Sequence, residues 1–395
     1  MQTQLAKDVF WVGYVDWEVR DFHGYRTERG STYNAYLIAA QKTAIIDTVK
    51  APYALAFLAN VRRHLALEQV AYIVCNHAEP DHAGGLPETV RACPNAAVVC
   101  NAKCRDALAR HHDTGGWKWH IVKDSETLSL GDKTLQFFDT PMVHWPESMA
   151  TYLQEDATLF SMDAFGQHYA SSARFDDEAD LHEVLQEAKN YYANIVLPYG
   201  RQVAAALGRL GALKLAVVAP SHGVIWRSHF AEILACYQDW MVCKPMRKVV
   251  ILFSSMWDST RRMADAIRGG AAEAGVDVKL MDAAATSDTA IVTEIMDCAA
   301  FAVGSPTLNS GVMPRMAAAL TYLRGLKPKG KSCLAFGSYG WAPKNIEELK
   351  RYLAEMDAKP VCDPIACRFA PDADTLEQCR AAGRALATVA TAVTG

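Results

Sequence analysis

Between Thr43 and His222 one pattern recurs: a short apolar run, rich in β-branched or aromatic residues, stops abruptly at a polar residue. The runs are Thr43–Val49, Ala71–Asn76, Ala97–Asn101, Thr134–Thr140, Thr158–Met162 and Leu215–Pro220. Their length and composition are those of buried strands, with helical spacing of apolar residues between them at Tyr53–Leu67 and Leu181–Ile195. If such strands pack as a layered αββα fold, the polar residues at their ends face one common cleft. Near Cys243–Arg247 the texture changes to a regular alternation. Strands are expected at Lys248–Ser254, Val276–Met281, Ala300–Gly304, Ser332–Gly337 and Pro364–Phe369, and helices at Ser259–Ala274, Pro314–Leu326, Ile346–Ala358 and Thr375–Val393. Strands alternating with helices in this way describe a doubly wound parallel sheet. The expected boundary lies at about residue 246, giving domains 1–246 and 247–395 joined by a linker of only a few residues.

Composition narrows the function classes. The 395 residues are 51% hydrophobic and 21% charged, an ordinary globular mixture. Forty basic and 44 acidic residues give −4, so there is no electrostatic case for nucleic acid or an anionic membrane as partner. No apolar run approaches the ~20 residues of a membrane span, and the start lacks a charged segment followed by an apolar one; a soluble, cytoplasmic protein is expected. The 11 cysteines contain no C-x-x-C, which argues against a disulfide framework and against a zinc or rubredoxin-like iron site held by thiolates. The 12 histidines are more informative, because several stand where chemistry is expected.

The densest of these places is Asn76-His77-Ala78-Glu79-Pro80-Asp81-His82-Ala83-Gly84-Gly85, directly after an expected strand. Four ligand-type side chains in six positions, followed by Gly-Gly, fit a tight loop folded around a metal ion. A solvated acidic loop would rarely abut a hydrophobic strand with two histidines among its carboxylates. Three other strand ends carry His144, Asp163 and His222. Each alone is weak; together they offer a mixed imidazole and carboxylate donor set at one edge.

The loop resembles the H-x-H-x-D-H signature of the metallo-β-lactamase superfamily, with Glu79 at its second histidine. A carboxylate there supplies negative charge and a hard oxygen ligand, which favours iron over zinc. Together with His144-Trp145-Pro146, Asp163-Ala164-Phe165-Gly166 and the early segment Asp21-Phe22-His23-Gly24-Tyr25, the pattern looks like the flavodiiron proteins. What that resemblance implies is a non-haem site of two iron ions, with His77, Glu79 and His144 on one, Asp81, His82 and His222 on the other, and Asp163 bridging. In some members that look like this one, water takes the place of His82. The resemblance also implies that His23, Trp145 and Tyr199 line the pocket or support the ligands, although simple packing would account for them equally well.

The second domain carries its own signal. After the strand at Lys248 comes Ser254-Ser255-Met256-Trp257-Asp258-Ser259-Thr260, running into a helix: hydroxyls and backbone N–H groups at a strand-to-helix turn form a phosphate cradle. The alternative is an ordinary helix cap. The loop is neither GxGxxG nor a Walker motif, so dinucleotides and nucleoside triphosphates are disfavoured. It resembles the flavodoxin loop, in which Ser255, Ser259 and Thr260 would hold the phosphate of FMN, with Asp258 an anion that must point outward. Ser305-Pro306-Thr307-Leu308-Asn309-Ser310-Gly311 and Ser338-Tyr339-Gly340-Trp341 end the third and fourth strands and would clasp the flavin ring, with Trp257 and Trp341 as stacking candidates.

By resemblance, the fused domains form an oxidoreductase. Rubredoxin or a similar separate protein would feed FMN, and electrons would pass to the irons to reduce O2 to water or NO to nitrous oxide. The short linker makes transfer within one chain awkward, and the family's solution, a head-to-tail homodimer, is carried over as an expectation. Two other readings stand beside it: a zinc hydrolase with an appended flavodoxin-like domain, and a flavin electron carrier on an inactive scaffold.

Overall fold

The computed structural model describes residues 3–393. Contacts divide the chain into two compact units, one of residues up to 191 with 201–237, the other of 192–200 with the residues from 238 on. The division falls at 237/238, and the helical stretch 192–200 goes with the second unit.

The first unit is built on two sheets. One has seven strands in the order Thr3–Ala6, Val9–Trp11, Tyr36–Ile38, Thr43–Ile46, Val70–Val74, Ala97–Cys100 and Trp119–Ile121. It is antiparallel as far as Thr43–Ile46 and parallel thereafter. The other has five strands, Thr127–Ser129, Thr134–Asp139, Met149–Leu153, Thr158–Met162 and Val217–Pro220, with only the last pair parallel. Their facing side chains make one core: Ile38, Ile46, Val74 and Val99 from the first sheet pack with Leu135, Phe137, Met149 and Phe160 from the second. Helices cover the first unit because their apolar residues recur at helical spacing. Ala54–Arg62 buries Ala54, Phe57, Leu58 and Val61, and Leu181–Tyr191 buries Val184, Ala188 and Tyr191. The result is the expected αββα layering.

The second unit is a six-stranded sheet in the order Asp277–Asp282, Met246–Phe253, Cys298–Gly304, Ser332–Tyr339 and Lys359–Pro360, with Ile365–Arg368 also paired to Ser332–Tyr339. Every pair is parallel. The second strand in sequence lies outside the first, so the order reverses beside Met246–Phe253, and the loops after that strand and its neighbour open the crevice that binds ligands in such sheets. Helices Ser259–Ala272 and Ala373–Thr391 pack a common core of Met263, Ile267, Cys379 and Leu386 against it. A helix at Asp288–Met296 was not among those expected. All eleven cysteines are free thiols, and among the described residues no helix is long and apolar enough to cross a membrane.

Candidate functional site

The metal loop is held open from both sides before any ligand is considered. Where the strand Val70–Val74 ends, the Asn76 backbone N–H and side-chain amide each donate to the Asp47 carboxylate at 2.8 Å, and Asn76 Oδ1 accepts from the Thr151 hydroxyl at 2.6 Å. Glu79 then precedes a single helical turn, Pro80–Ala83, with proline at its first position and no side-chain cap, which leaves its carboxylate free for the cluster. Gly84 and Gly85 are required because the chain at 49–51 presses on them: a Cβ on Gly84 would lie 2.9 Å from the Ala51 nitrogen, and one on Gly85 2.9 Å from the Val49 oxygen. The Thr48 hydroxyl donates to the His82 carbonyl and closes the loop.

This frame brings together all seven expected ligand residues. His77, Glu79, His144 and Asp163 offer ligand atoms within 4.8 Å of one another, as do Asp81, His82 and His222. Asp163 lies between the groups. Its Oδ2 is 3.6 Å from His77 Nε2 and 3.4 Å from His144 Nε2, whereas its Oδ1 is 3.2 Å from His82 Nε2 and 3.5 Å from His222 Nε2. Only His144 is more than slightly exposed.

In two of the histidines the ring nitrogen turned away from the centre is tied down. His77 Nδ1 meets Glu147 Oε1 at 2.8 Å, and His222 Nδ1 donates to the Thr32 carbonyl at 2.6 Å, leaving each Nε2 facing the carboxylates. Behind His222 sits fully buried His168, its ring 4.7 Å away; burial first, then the neighbouring His222, hold its pKa well below 6.5. It is therefore a neutral imidazole, fixed at 2.7 Å to both the Tyr25 hydroxyl and the Ser31 hydroxyl.

The electrostatics call for cations. Burial opposes charge on His82 and His144, but the surrounding carboxylates outweigh it and raise both pKa values to about 9. Burial would equally raise Asp163, yet His82, His144 and His77 hold it well below the carboxylate range. Asp81 Oδ1, both His82 ring nitrogens and both Asp163 oxygens are buried without a hydrogen-bond partner. Each such atom costs about 1–3 kcal/mol if left bare, and lone pairs converging on shared points are satisfied by metal ions. Imidazole and carboxylate without thiolate suit iron in such a site.

Of the expected pocket residues, His23 places Nε2 2.6 Å from Glu79 Oε1 with its side chain 60% exposed, so it stands at the mouth. Trp145 sets its ring edge-on to His77 at 4.9 Å. Tyr199 stands in the turn Leu197–Tyr199, which is assigned to the second unit. Two phenol rings stand beside His222, Tyr191 at 5.8 Å and Tyr33 at 6.1 Å. Glu147, Thr32, His168 and Tyr191 were not anticipated. Glu147 alone had a local signal, as a carboxylate three residues after His144.

In the second unit a pocket of about 370 Å³ is lined by Ser255, Met256, Trp257, Ser259, Pro306, Thr307, Ser338, Tyr339, Gly340 and Trp341, all expected, and by Ala342 and Phe369, which were not. Phe369 follows the last strand, so the strand-end rule could have found it. Ser254, Asp258, Thr260, Leu308, Asn309 and Gly311 do not line it. Asp258, left-handed at φ 61°, is the residue before helix Ser259–Ala272, and its side chain makes no capping hydrogen bond. Asp258 therefore supplies no cap; the Arg261 N–H reaches Ser255 Oγ at 3.4 Å, and the N–H groups ahead of it at the helix start can face an anion. The Asp258 side chain is 77% exposed and points outward, while Ser254 Oγ is buried without a partner. Trp257 and Trp341 are 89% and 91% exposed, unusual for large apolar side chains beside a pocket.

Residues 32–223 match the family model described as ODP family beta lactamase, and residues 251–383 that of flavodoxin. A nitric oxide reductase of Moorella thermoacetica is 41% identical, over 97% of this chain and 97% of that one. The crystal structure of the flavodiiron protein from Giardia intestinalis superposes with a TM-score of 0.97 at 37% identity, covering 100% of this chain and 97% of that one. The chain belongs to the flavodiiron family. An anaerobic nitric oxide reductase flavorubredoxin of Pectobacterium atrosepticum is 40% identical over 98% of this flavodiiron chain and 77% of its own length. The rubredoxin oxygen:oxidoreductase from Desulfovibrio gigas gives a TM-score of 0.97 at 36% identity, with 99% of each chain covered.

Proposed function

We propose that this chain is an oxidoreductase in which electrons from rubredoxin or a similar external donor pass through FMN to a non-haem diiron site that reduces O2 to water, NO to nitrous oxide, or both. When bound, the flavin supplies stepwise electron transfer and the iron pair supplies binding and reduction of the diatomic gas. The observation that carries the reading is Asp163, whose two oxygens each face one of two buried ligand groups.

In this reading His77, Glu79 and His144 hold one iron, and Asp81, His82 and His222 the other, with Asp163 shared between them. Glu147 and the Thr32 carbonyl fix the two outer histidines so that each presents Nε2. His23 steadies Glu79 at the mouth and holds a proton there, its pKa raised chiefly by that hydrogen bond. Trp145 covers His77 and keeps water off that side. In residues 247–395 the turn from Ser254 to Thr260 holds the FMN phosphate, and the loops at Pro306–Gly311 and Ser338–Trp341 hold the ring. Residues 1–246 carry the metal chemistry. The exposed Trp257 and Trp341 support a head-to-tail homodimer that covers the flavin pocket, and the free-thiol chain supports a cytoplasmic setting.

Elemental analysis with a visible spectrum tests the assignment: about two irons and one flavin per chain are expected. Zinc in their place would turn the reading to the hydrolase, and flavin without metal to the electron carrier.

A further inference from the structure

We propose that Tyr33, Tyr53 and Tyr14 form an exit route for oxidising equivalents, leading from the His222 side of the metal cluster to the protein surface. This rests on the reading of that cluster as an iron site. The Tyr33 ring lies edge-on to His222 at 6.1 Å; Tyr53 is 5.6 Å from Tyr33, and Tyr14 is 3.9 Å from Tyr53, both pairs stacked. Exposure rises outward: Tyr33 is fully buried, and Tyr53 and Tyr14 are half-buried. The geometry is fixed by the antiparallel pairing of Tyr14–Asp16 with Ser31–Tyr33, which sets Tyr14 opposite Tyr33.

Asp16 supplies what a redox route needs and a packed cluster does not. Its Oδ2 accepts from both the Tyr33 hydroxyl at 3.1 Å and the Tyr53 hydroxyl at 2.9 Å, while its Oδ1 is held by the backbone N–H groups of Glu18 and Val19. Phenol is among the side chains most readily oxidised by one electron, and the oxidised phenol must shed its proton at once. A carboxylate oxygen in hydrogen-bond contact takes it. Electron tunnelling weakens exponentially with distance, so three neighbouring rings carry charge outward far faster than one long jump. Phenylalanine would have served packing alone, without a buried carboxylate.

The oxidant is hydrogen peroxide, the two-electron product of dioxygen, acting at the metal cluster when the electron donor is exhausted. Tyr33 gives one electron to it and its phenolic proton to Asp16. Tyr53 then gives an electron to Tyr33; the Asp16 proton returns to Tyr33 as the Tyr53 proton passes to Asp16. Tyr14 gives an electron to Tyr53, Asp16 reprotonates Tyr53, and the Tyr14 proton leaves to water. A small thiol in solution restores Tyr14. Two passages consume one hydrogen peroxide and two thiols and yield two waters and one disulfide.

The test uses the iron-loaded holoenzyme, its iron content measured first, mixed with hydrogen peroxide and a nitroxide-forming spin trap in the absence of donor. Peptide mass spectrometry then locates the trapped radical. A trap adduct on Tyr14 is expected, moving to Tyr53 in Tyr14→Phe. It should fall at least roughly tenfold at Tyr14 in Tyr53→Phe, a half-buried site where the ring is kept and only the hydroxyl to Asp16 is lost. A Tyr14 adduct undiminished in Tyr53→Phe, or no tyrosine adduct in iron-loaded wild type, overturns the route alone. A chain that takes up no iron overturns the metal reading and the route with it.

Discussion

Glu147 is to His77 what the Thr32 carbonyl is to His222: a partner that decides which ring nitrogen faces the cluster. Its removal by Glu147→Ala leaves a buried Nδ1 unpaired and is expected to weaken iron binding about 10–100-fold, read by competition with a chelator; wild-type affinity would show that the orientation comes from elsewhere. The raised pKa values of His82 and His144, about 9 against an ordinary 6.5, have a sign that can be worked out. A raised folded-state pKa adds stability that is fully present below 6.5 and disappears as pH rises through 9. Metal-free protein should therefore melt at a lower temperature at about pH 9.5 than at about pH 7, the depressed carboxylates contributing nothing to the change in that window. For the same reason, ferrous iron added anaerobically near pH 7 should displace protons, measurable with an indicator dye; uptake without proton release would mean that the histidines are already neutral. Glu147 had a faint local signal beside His144, but neither pairing could be read along the chain. Glu147 and His77 are 70 residues apart, and Thr32 and His222 190, and only the pairing of sheets brings them together. The ligands themselves were legible because each sits where an apolar run stops. Tyr191 was not anticipated because nothing local tells which tyrosine of Tyr191–Tyr199 faces His222.

At the scale of elements, most long strands and several helices were readable, whereas the shortest strands and the helices Ala102–His111, Gly200–Leu210 and Phe230–Trp240 were not. Thr158–Met162 and Pro314–Leu326 were expected at their observed bounds, whereas Val9–Trp11 and Tyr36–Ile38, three residues each, are too short for an alternating pattern. The strand Met149–Leu153 was not expected: all five of its residues are buried, so it shows no alternation, and the turn residues Pro146 and Ser148 ahead of it were not read as its boundary. In the flavin unit the regular strand and helix alternation made the sheet legible as a whole, yet the left-handed Asp258 that frees the helix start was visible only in the structure. Ser255, which lines the pocket at the start of this loop, belongs to this element. Ser255→Ala should remove a hydrogen bond to a charged group worth about 1.5–3 kcal/mol, weakening FMN binding roughly 10–100-fold in a fluorescence titration. Unchanged affinity would place the phosphate elsewhere.

At the scale of the molecule, two folds that each have many uses are joined in one chain, and neither alone would define an activity. The metal cluster could serve a hydrolase and the flavin pocket a carrier; their fusion, with the family relationship, selects the oxidoreductase. If the flavin of one protomer serves the irons of another, turnover with a reduced donor should fall on dilution as the dimer dissociates, which analytical ultracentrifugation over the same concentrations would confirm; a monomer with undiminished turnover would remove the head-to-tail arrangement. The central claim is that electrons reach gas only through the site around Asp163. Its most direct test is anaerobic mixing of the reduced donor with wild type and Asp163→Ala, followed by admission of O2 or NO and measurement of gas consumption. The wild type should consume one or both gases, and Asp163→Ala neither, while its flavin is still reduced by the donor at the wild-type rate. Gas consumption retained by Asp163→Ala would contradict the account.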